Sequence, residues 1–278
     1  VERDIKGGAI GSAFFVMTIR KILLNNTPFH CSEIDRGLQF GDGHFTTIRV
    51  VQGVPLHIER HLNRLSEANT RLFINHPNFN FLHQRILNAC DGIENGVCKV
   101  IVTRGYGGRG YGFSDGAVAN EYIQVSDAPG NLKSVSLGVA ELNLARQPKL
   151  AGLKTLNRLE QVLLTQERSV SEYDDLLVCD SEGNVVEAIQ GNVFWYKQGQ
   201  WYTPDLSFSG VQGIIRQLII DEDMLAPLRI GHFSLNELAD VEQIILSNSV
   251  RGAVTVTQFN GKVLDKSKLP AVLEQLIL

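Results

Sequence analysis

The spacing of apolar residues changes period at His57, and the segments on either side of that change limit the fold. Before it, Phe45-Thr46-Thr47-Ile48-Arg49-Val50-Val51 is a β-branched run that predicts a strand. The tight turn Phe40-Gly41-Asp42-Gly43 feeds this strand, and Gln52-Gly53 reads as a hairpin turn at its end. After the change, Leu62, Leu65, Ala68 and Leu72 recur at helical spacing. A second helix is predicted from Phe81 to Ala89 and a strand from Cys98 to Thr103, with an earlier strand over Ile19 to Leu24 and a turn at Asn25-Asn26-Thr27-Pro28. Strands and helices are mixed here without regular βαβ alternation, which predicts an α+β fold.

At 278 residues the chain has room for two ordinary domains. Asp127-Ala128-Pro129-Gly130-Asn131 is the expected boundary, with a smaller α/β domain over residues 17–127 and a larger one over 131–278. In the second part, Ser134 to Ala140 predicts a strand, and Leu156, Leu159 and Leu163 predict a helix just after Lys154. Asp175 to Cys179 and Val185 to Ile189 flank a turn at Ser181-Glu182-Gly183-Asn184, and Val193 to Tyr196 with Trp201 to Thr203 make a second hairpin. A helix is expected over Ile214 to Leu225, a capping box at Ser234-Leu235-Asn236-Glu237 opens another, and Ile244 to Ser247 reads as a buried strand.

Several function classes are disfavoured. The net charge is −4 and basic residues do not cluster, so no electrostatic footprint for nucleic acid or an anionic membrane is present. No apolar run reaches the roughly 18–20 residues of a membrane span. The cysteines Cys31, Cys90, Cys98 and Cys179 have no CxxC spacing and no His partners in metal-ligand spacing, so no metal site is expected and reduced thiols in a cytoplasmic protein are. Ala9 to Met17 weakly mimics a signal peptide, but it is glycine-rich, and Arg20 and Lys21 stand where a cleavage site should lie. Residues 1–16 are expected to lie outside the catalytic fold, with Met17 as a natural start.

Gly105-Tyr106-Gly107-Gly108-Arg109-Gly110 matches GxGxxG after a strand. A dinucleotide site also needs a helix directly afterwards, and Tyr111-Gly112-Phe113-Ser114-Asp115-Gly116 has loop composition instead. The segment reads better as a flexible loop carrying Arg109 and Tyr111. Lys154 has small or apolar residues before it and a predicted helix after it. Desolvation there would lower its pKa from about 10.4 and favour Schiff-base chemistry, although a surface lysine meets the same description. Lys99, inside an apolar strand, is a rival. Glu187 shares a strand face with Val185 and Ile189, and a buried carboxylate needs a partner, either a pyridinium nitrogen or a structural arginine. Gly213-Ile214-Ile215 opens a helix whose free N–H groups suit a phosphate.

The order of these segments carries more than each alone. Arg36-Gly37-Leu38-Gln39-Phe40-Gly41-Asp42-Gly43, Arg60-His61-Leu62-Asn63-Arg64-Leu65, Lys154-Thr155-Leu156-Asn157, Glu187 with Gly191-Asn192-Val193-Phe194, and Gly213-Ile214-Ile215-Arg216 together resemble the fold-type IV pyridoxal-phosphate (PLP) enzymes. The resemblance spans roughly residues 19 to 265 and implies the two-domain fold of the D-amino-acid aminotransferases. Within that class, the stretches from Arg104 to Tyr111, Pro148 to Gln161 and Val211 to Gln217 are most similar to the aminodeoxychorismate lyases, which convert 4-amino-4-deoxychorismate to 4-aminobenzoate, a folate precursor, and pyruvate.

The resemblance implies that Lys154 holds the cofactor as a Schiff base and acts as base and acid in turn. It implies that Arg64 and the amides of Ile214 and Ile215 bind the cofactor phosphate, with Asn248 and Ser249 adding to that site, and that Glu187 keeps the pyridine nitrogen protonated. Arg109 and Tyr111 are expected to bind a substrate carboxylate on a loop that reaches across a homodimer interface. Many aminotransferases of the class have Tyr where Phe45 stands and Thr where Ile215 stands. That difference leans away from D-amino-acid transamination, while Thr47, on the face of Phe45, offers the substrate a hydroxyl. The rivals are a D-amino-acid or branched-chain aminotransferase on the same scaffold, and a non-catalytic PLP carrier. Whether Lys99 or Arg104 touches substrate is open from the sequence.

Overall fold

The chain, described here by a computed structural model, has two sheets whose meeting line carries Lys154. The structure describes residues 19–24, 27–28, 35–108, 110–130, 132, 134–264 and 268–276; residues 1–16, Met17, Cys31, Arg109 and Asn131 lie outside the described residues. The first sheet holds β1 (Ile19–Leu24), β2 (Thr27–Pro28), β3 (Gly43–Val51), β4 (Val54–Pro55), β5 (Asn95–Thr103) and β6 (Asn120–Asp127), in the order β2-β1-β6-β5-β3-β4. Its pairings are all antiparallel. Gln52 and Gly53 both have positive φ (50° and 78°), so the β3–β4 connection is the two-residue turn that matches strand twist.

One face of this sheet is apolar. Ile48, Val50, Val100 and Ile123 pack against Leu65 of α2 (Ile58–Arg71) and Leu82 and Ile86 of α3 (Leu82–Cys90). Two polar contacts are buried in the same interface. Thr46 Oγ1 lies 2.6 Å from His61 Nδ1, and His44 Nε2 lies 2.8 Å from Asn69 Oδ1. They tie β3 to α2 and so set where Arg64, one turn along from His61, points.

A short helix, α1 (Arg36–Phe40), precedes β3 and was not expected. Its N-cap Asp35 accepts the Gly37 N–H at 2.5 Å, and Gly41 closes it in the left-handed conformation (φ 65°). Behind it, Asp42 receives Arg36 Nε at 2.9 Å and Arg104 Nε at 2.8 Å. Burial would raise the Asp42 carboxyl, but the two guanidiniums outweigh it and hold its pKa below the ordinary value.

The second sheet holds β7 (Ser134–Val139), β8 (Asp175–Cys179), β9 (Val185–Ala188), β10 (Asn192–Lys197), β11 (Gln200–Pro204), β12 (Leu228–Gly231), β13 (Gln243–Asn248), β14 (Gly252–Phe259) and β15 (Lys262–Val263). The order is β12-β11-β10-β13-β14-β7-β8-β9, with β15 on β14. The central strands are buried on both faces. Val193, Trp195, Ile244 and Leu246 feed one apolar cluster, while Phe194 and Ile245 feed another with Ile215, Leu218 and Ile219 of α5 (Ile214–Asp221). The fold is α+β, as expected.

Several elements differ from expectation. Strands β6 and β14 were not anticipated. Helix α5 stops at Asp221, four residues early, where Glu222 caps it and Asp223 takes φ 50°. The capping box at Ser234 and Glu237 is present but opens only a short 3₁₀ segment, Leu235–Leu238. Helix α4 (Leu159–Ser169) begins five residues after Lys154, because residues 154–156 are taken up by pairing with β3. Its leucines also face the other way: Leu164 is buried, whereas Leu159, Val162 and Leu163 are exposed.

The buried histidines give acid sensitivity a defined sign. Burial lowers the His44 pKa from 6.5 to about 4 and pushes His61 well below 6.5. Below pH 6.5 the unfolded chain binds protons that the folded chain refuses. This stabilisation is complete above 6.5 and is lost as pH falls toward the folded value. Replacing His44 by Gln, which keeps a polar group opposite Asn69, is expected to flatten the dependence of Tm on pH between 6.5 and 4. A slope equal to that of the parent protein contradicts the assignment.

Candidate active site

Lys154 is placed by hydrogen bonds from the first sheet and from the loop before α5. Gly152, at φ 81°, forms a one-residue parallel bridge to Val211: its N–H reaches Gly210 O at 3.0 Å, and its carbonyl accepts Gln212 N–H at 3.1 Å. Two residues on, Lys154 O accepts the Phe45 amide at 2.9 Å and the Leu156 N–H donates to Gly43 O at 3.0 Å. The lysine backbone is therefore fixed against the start of β3 on one side and the loop before α5 on the other. Its amine stands over the Phe45 ring, 4.8 Å from the centroid. Burial first, then the positive charges of Arg64 and Arg158, lower its pKa from 10.5 to about 8, against an opposing pull from Glu187.

An inner cavity of about 100 Å³ begins at this amine, with Arg64, Glu187, Val211, Gly213 and Ser247 in its wall. Glu187, buried on β9, accepts the Val211 N–H at 2.9 Å through Oε2, and its other oxygen has no protein donor among the described residues. Burial raises its pKa, although the Val211 amide and the Lys154 and Arg158 charges pull it down. A carboxylate in that position lacks a cationic partner within hydrogen-bond reach, and a protonated ring nitrogen supplies one.

The phosphate end is also prepared. The amides of Ile214 and Ile215 open α5, and N-cap Gly213 offers no side chain to occupy them. A Cβ at Gly213 would stand 2.0 Å from Asn192 Oδ1, while Asn192 Nδ2 donates to Val211 O at 2.8 Å. Arg64 reaches the same turn by donating to Gln212 O. Ser247 Oγ, buried in the cavity wall, has no hydrogen-bond partner among the described residues. These residues fit PLP: a cation and open amides for phosphate, an amine for the aldehyde, and a carboxylate for the ring nitrogen.

An outer cavity of about 690 Å³ adjoins the first at Lys154. Phe45, Thr47 and Val162 supply part of its wall, and its charged residues are Lys154, Arg158 and Arg251. Thr47 lines this space, and its carbonyl accepts Ser249 Oγ at 2.7 Å. Asn248 and Ser249 line both cavities, but their side chains already have partners: Asn248 Oδ1 accepts the Val250 and Arg251 amides at 2.9 and 2.8 Å. Lys99 lies opposite Thr47 on β5, half-buried, with its amine 4.7 Å from the centroid of the Phe45 ring. Phe45 thus carries two ammonium groups, and the charge of Lys99 helps lower the Lys154 pKa although Lys99 does not line the cavity.

Among the described residues of the glycine loop, none lines this chain's own cavity. Tyr111 is 88% exposed, with its ring tilted at 59° to that of Phe40, centroids 5.5 Å apart. Arg36 holds the loop by its carbonyls, reaching Tyr111 O at 3.1 Å and Gly112 O at 2.9 Å. Arg104 is structural: it binds Asp42, donates to Leu72 O and Phe73 O, and stacks on Phe113 at 3.9 Å. Arg158 and Arg251 were missed by sequence reasoning. Arg158 carried a signal, since it closes the motif that contains Lys154; Arg251 carried none.

Gly213→Ala is expected to push Asn192 off its place and disturb the α5 opening. PLP retention should weaken by on the order of tenfold or more, read by absorbance titration, with far-UV circular dichroism unchanged. Unaltered affinity would remove this turn from the phosphate site.

Residues 43–259 match the family model described as amino-transferase class IV. An aminodeoxychorismate lyase of Vibrio harveyi is 32% identical over 232 residues, covering 80% of this chain and 85% of that protein. The crystal structure of a 4-amino-4-deoxychorismate lyase from Pseudomonas aeruginosa superposes with a TM-score of 0.84 at 35% identity, covering 92% of this chain and 96% of the other. A hypothetical aminotransferase from Mycobacterium tuberculosis, in a PLP-bound form, shares the fold at 17% identity and a TM-score of 0.76, covering 94% of this chain and 99% of the other. By its matching residues and its fold, the chain belongs to the class IV amino-transferases, a PLP-dependent family with the fold-type IV architecture.

Proposed function

We propose that this protein is a PLP-dependent lyase that converts 4-amino-4-deoxychorismate to 4-aminobenzoate and pyruvate. The observation that carries the reading is the joint presence, in one cavity, of the buried Lys154 amine and the Glu187 carboxylate, opening onto a chamber large enough for a ring substrate. The similarity to lyases from Vibrio harveyi and Pseudomonas aeruginosa over most of the chain supports it. Bound PLP would supply an electron sink for charge developing at the substrate carbon bearing nitrogen.

The residues then divide the work. Arg64 and the Ile214 and Ile215 amides would hold the phosphate. Glu187 would hold a proton on the ring nitrogen. Lys154 removes the proton from the substrate carbon bearing the amine nitrogen. A pKa of about 8 leaves a useful fraction of amine as base near neutral pH. The same group returns a proton to the enolpyruvyl methylene carbon as the ether bond breaks and pyruvate leaves. Loss of pyruvate makes the ring aromatic, so the step runs strongly downhill. Phe45 and Thr47 shape the substrate side, and Arg158 presents positive charge beside Lys154.

The same reading includes a homodimer in which the loop bearing Arg109 and Tyr111 reaches the partner's chamber. The outward position of Tyr111 and its absence from this chain's cavity support that arrangement. It also includes a cytoplasmic location. Among the described residues no helix is long and apolar enough to cross a membrane, and Cys90, Cys98 and Cys179 are unpaired.

Purified protein supplied with aminodeoxychorismate, made in place by its synthase and with no 2-oxo acid present, is expected to release 4-aminobenzoate and pyruvate one for one. Lys154→Ala should lose this turnover entirely. Product formation at the parent rate in that variant, free of contaminating enzyme, sinks the assignment. A requirement for a 2-oxo acid would instead point to an aminotransferase.

A further inference from the structure

The outer cavity carries charge of one sign. Among the described residues, Lys154, Arg158 and Arg251 line it, and no Asp or Glu does. Part of the remaining wall is apolar, from Phe45, Val162 and Ile189. Cations set in a low-dielectric wall without acidic neighbours attract anions more strongly than the same cations on an open surface.

The three cations are not equivalent. Lys154 is the reacting amine under the function proposed above, and the present inference rests on that reading. Arg158 is committed to the lysine's own turn: Nε donates to Thr155 O at 2.9 Å, and Nη2 donates to Leu153 O and Thr155 Oγ1, both at 3.2 Å. It lines the inner cavity as well as the outer one, so it lies near the reacting carbon. Arg251 lines only the outer cavity, farther from the chemistry.

Arg251 is also braced and left with donors to spare. Asn248 Oδ1 takes the Arg251 backbone N–H at 2.8 Å, and Asn248 Nδ2 donates to Gln190 O at 3.0 Å. Gln190 Oε1 in turn accepts Arg251 Nη1 at 3.2 Å. Among the described residues Arg251 makes no ion pair, and its remaining N–H groups have no protein acceptor. The acid it feels is Asp175, with Arg168 opposing, and Asp175 is not part of the cavity wall. Asp175 is instead engaged by backbone amides, including that of Leu176 at 2.8 Å. A guanidinium held in place before a ligand arrives loses less entropy when it binds, and its planar fork suits a carboxylate.

We propose that Arg251 receives the carboxylate that the substrate carries at the end of its ring opposite the reacting amine. It thereby selects ring substrates bearing a remote carboxylate over simple amino acids, whose single carboxylate sits beside the amine.

The test uses the PLP-loaded enzyme and two unreactive probes of equal size, 4-hydroxybenzoate and its neutral counterpart 4-hydroxybenzamide, with binding measured by calorimetry. The parent protein is expected to bind the carboxylate at least tenfold more tightly than the amide. Arg251→Met should remove most of that preference while binding the amide within twofold of the parent, and Arg251→Lys should keep part of it. A preference that survives in Arg251→Met, equal weakening of both probes, or no preference in the parent overturns the proposal. A protein that shows the Arg251-dependent preference but forms no 4-aminobenzoate would separate the failure of the lyase reading from that of this subsite.

Discussion

The buried amine of Lys154 is the constraint around which the rest of the structure is arranged. An ammonium group taken out of water is costly, so it either finds a counter-charge or gives up its proton more readily. Here it does the second, with its pKa lowered to about 8 by burial and by two neighbouring arginines. Such a group needs a fixed backbone, since a mobile loop would carry it back to solvent. Hydrogen bonds from Phe45 and Leu156 on one side and from the 210–212 segment on the other provide that fixation. The first sheet, with α2 locked to it through His61 and His44, and the second sheet, with α5 seated on it, are the two halves of the clamp.

From this clamp follows a separation of tasks between two adjoining cavities. The inner one gathers groups matched to the cofactor: Arg64 and the opening of α5 at one end, and Glu187 with an unfilled oxygen at the other. The outer one has the size and charge for the substrate. Lys154 and Arg158 border both, which is where proton transfer has to occur. Asn248, which lines the inner cavity with Arg64 and Gly213, also orders the turn that carries Arg251, so one side chain links the wall of the cofactor site to the substrate site.

Much of this was legible in the residues, though not evenly. Strand β3, the Gln52-Gly53 turn, α2 and the β8–β9 hairpin follow from period, turn chemistry and β-branched runs. Lys154 and Glu187 were visible as a lysine and a carboxylate in apolar surroundings, and the order of motifs tied them to one cofactor. Strand β6 was hidden by its polar residues, because Asn120 and Glu121 look solvent-facing until Asp35, Arg85 and His76 are seen beside them. Helix α1 is too short for periodicity and rests on its Asp35 cap. The leucines of α4 gave the helix but not its orientation, since exposure is decided by what the sheet offers to pack against. Arg251 had no local signature at all; its place depends on the pairing of β13 with β14 and on Gln190, 61 residues away in the chain.

The central claim is that Lys154, and not its neighbour across the Phe45 ring, is the amine that joins the cofactor. Borohydride reduction of the PLP-loaded protein, followed by proteolysis and mass spectrometry of the modified peptide, tests this directly. The account predicts a single reduced phosphopyridoxyl group on the peptide containing Lys154 and none on that containing Lys99. A label on Lys99, a label spread over many surface lysines, or no label on protein that shows the cofactor's absorbance would contradict it.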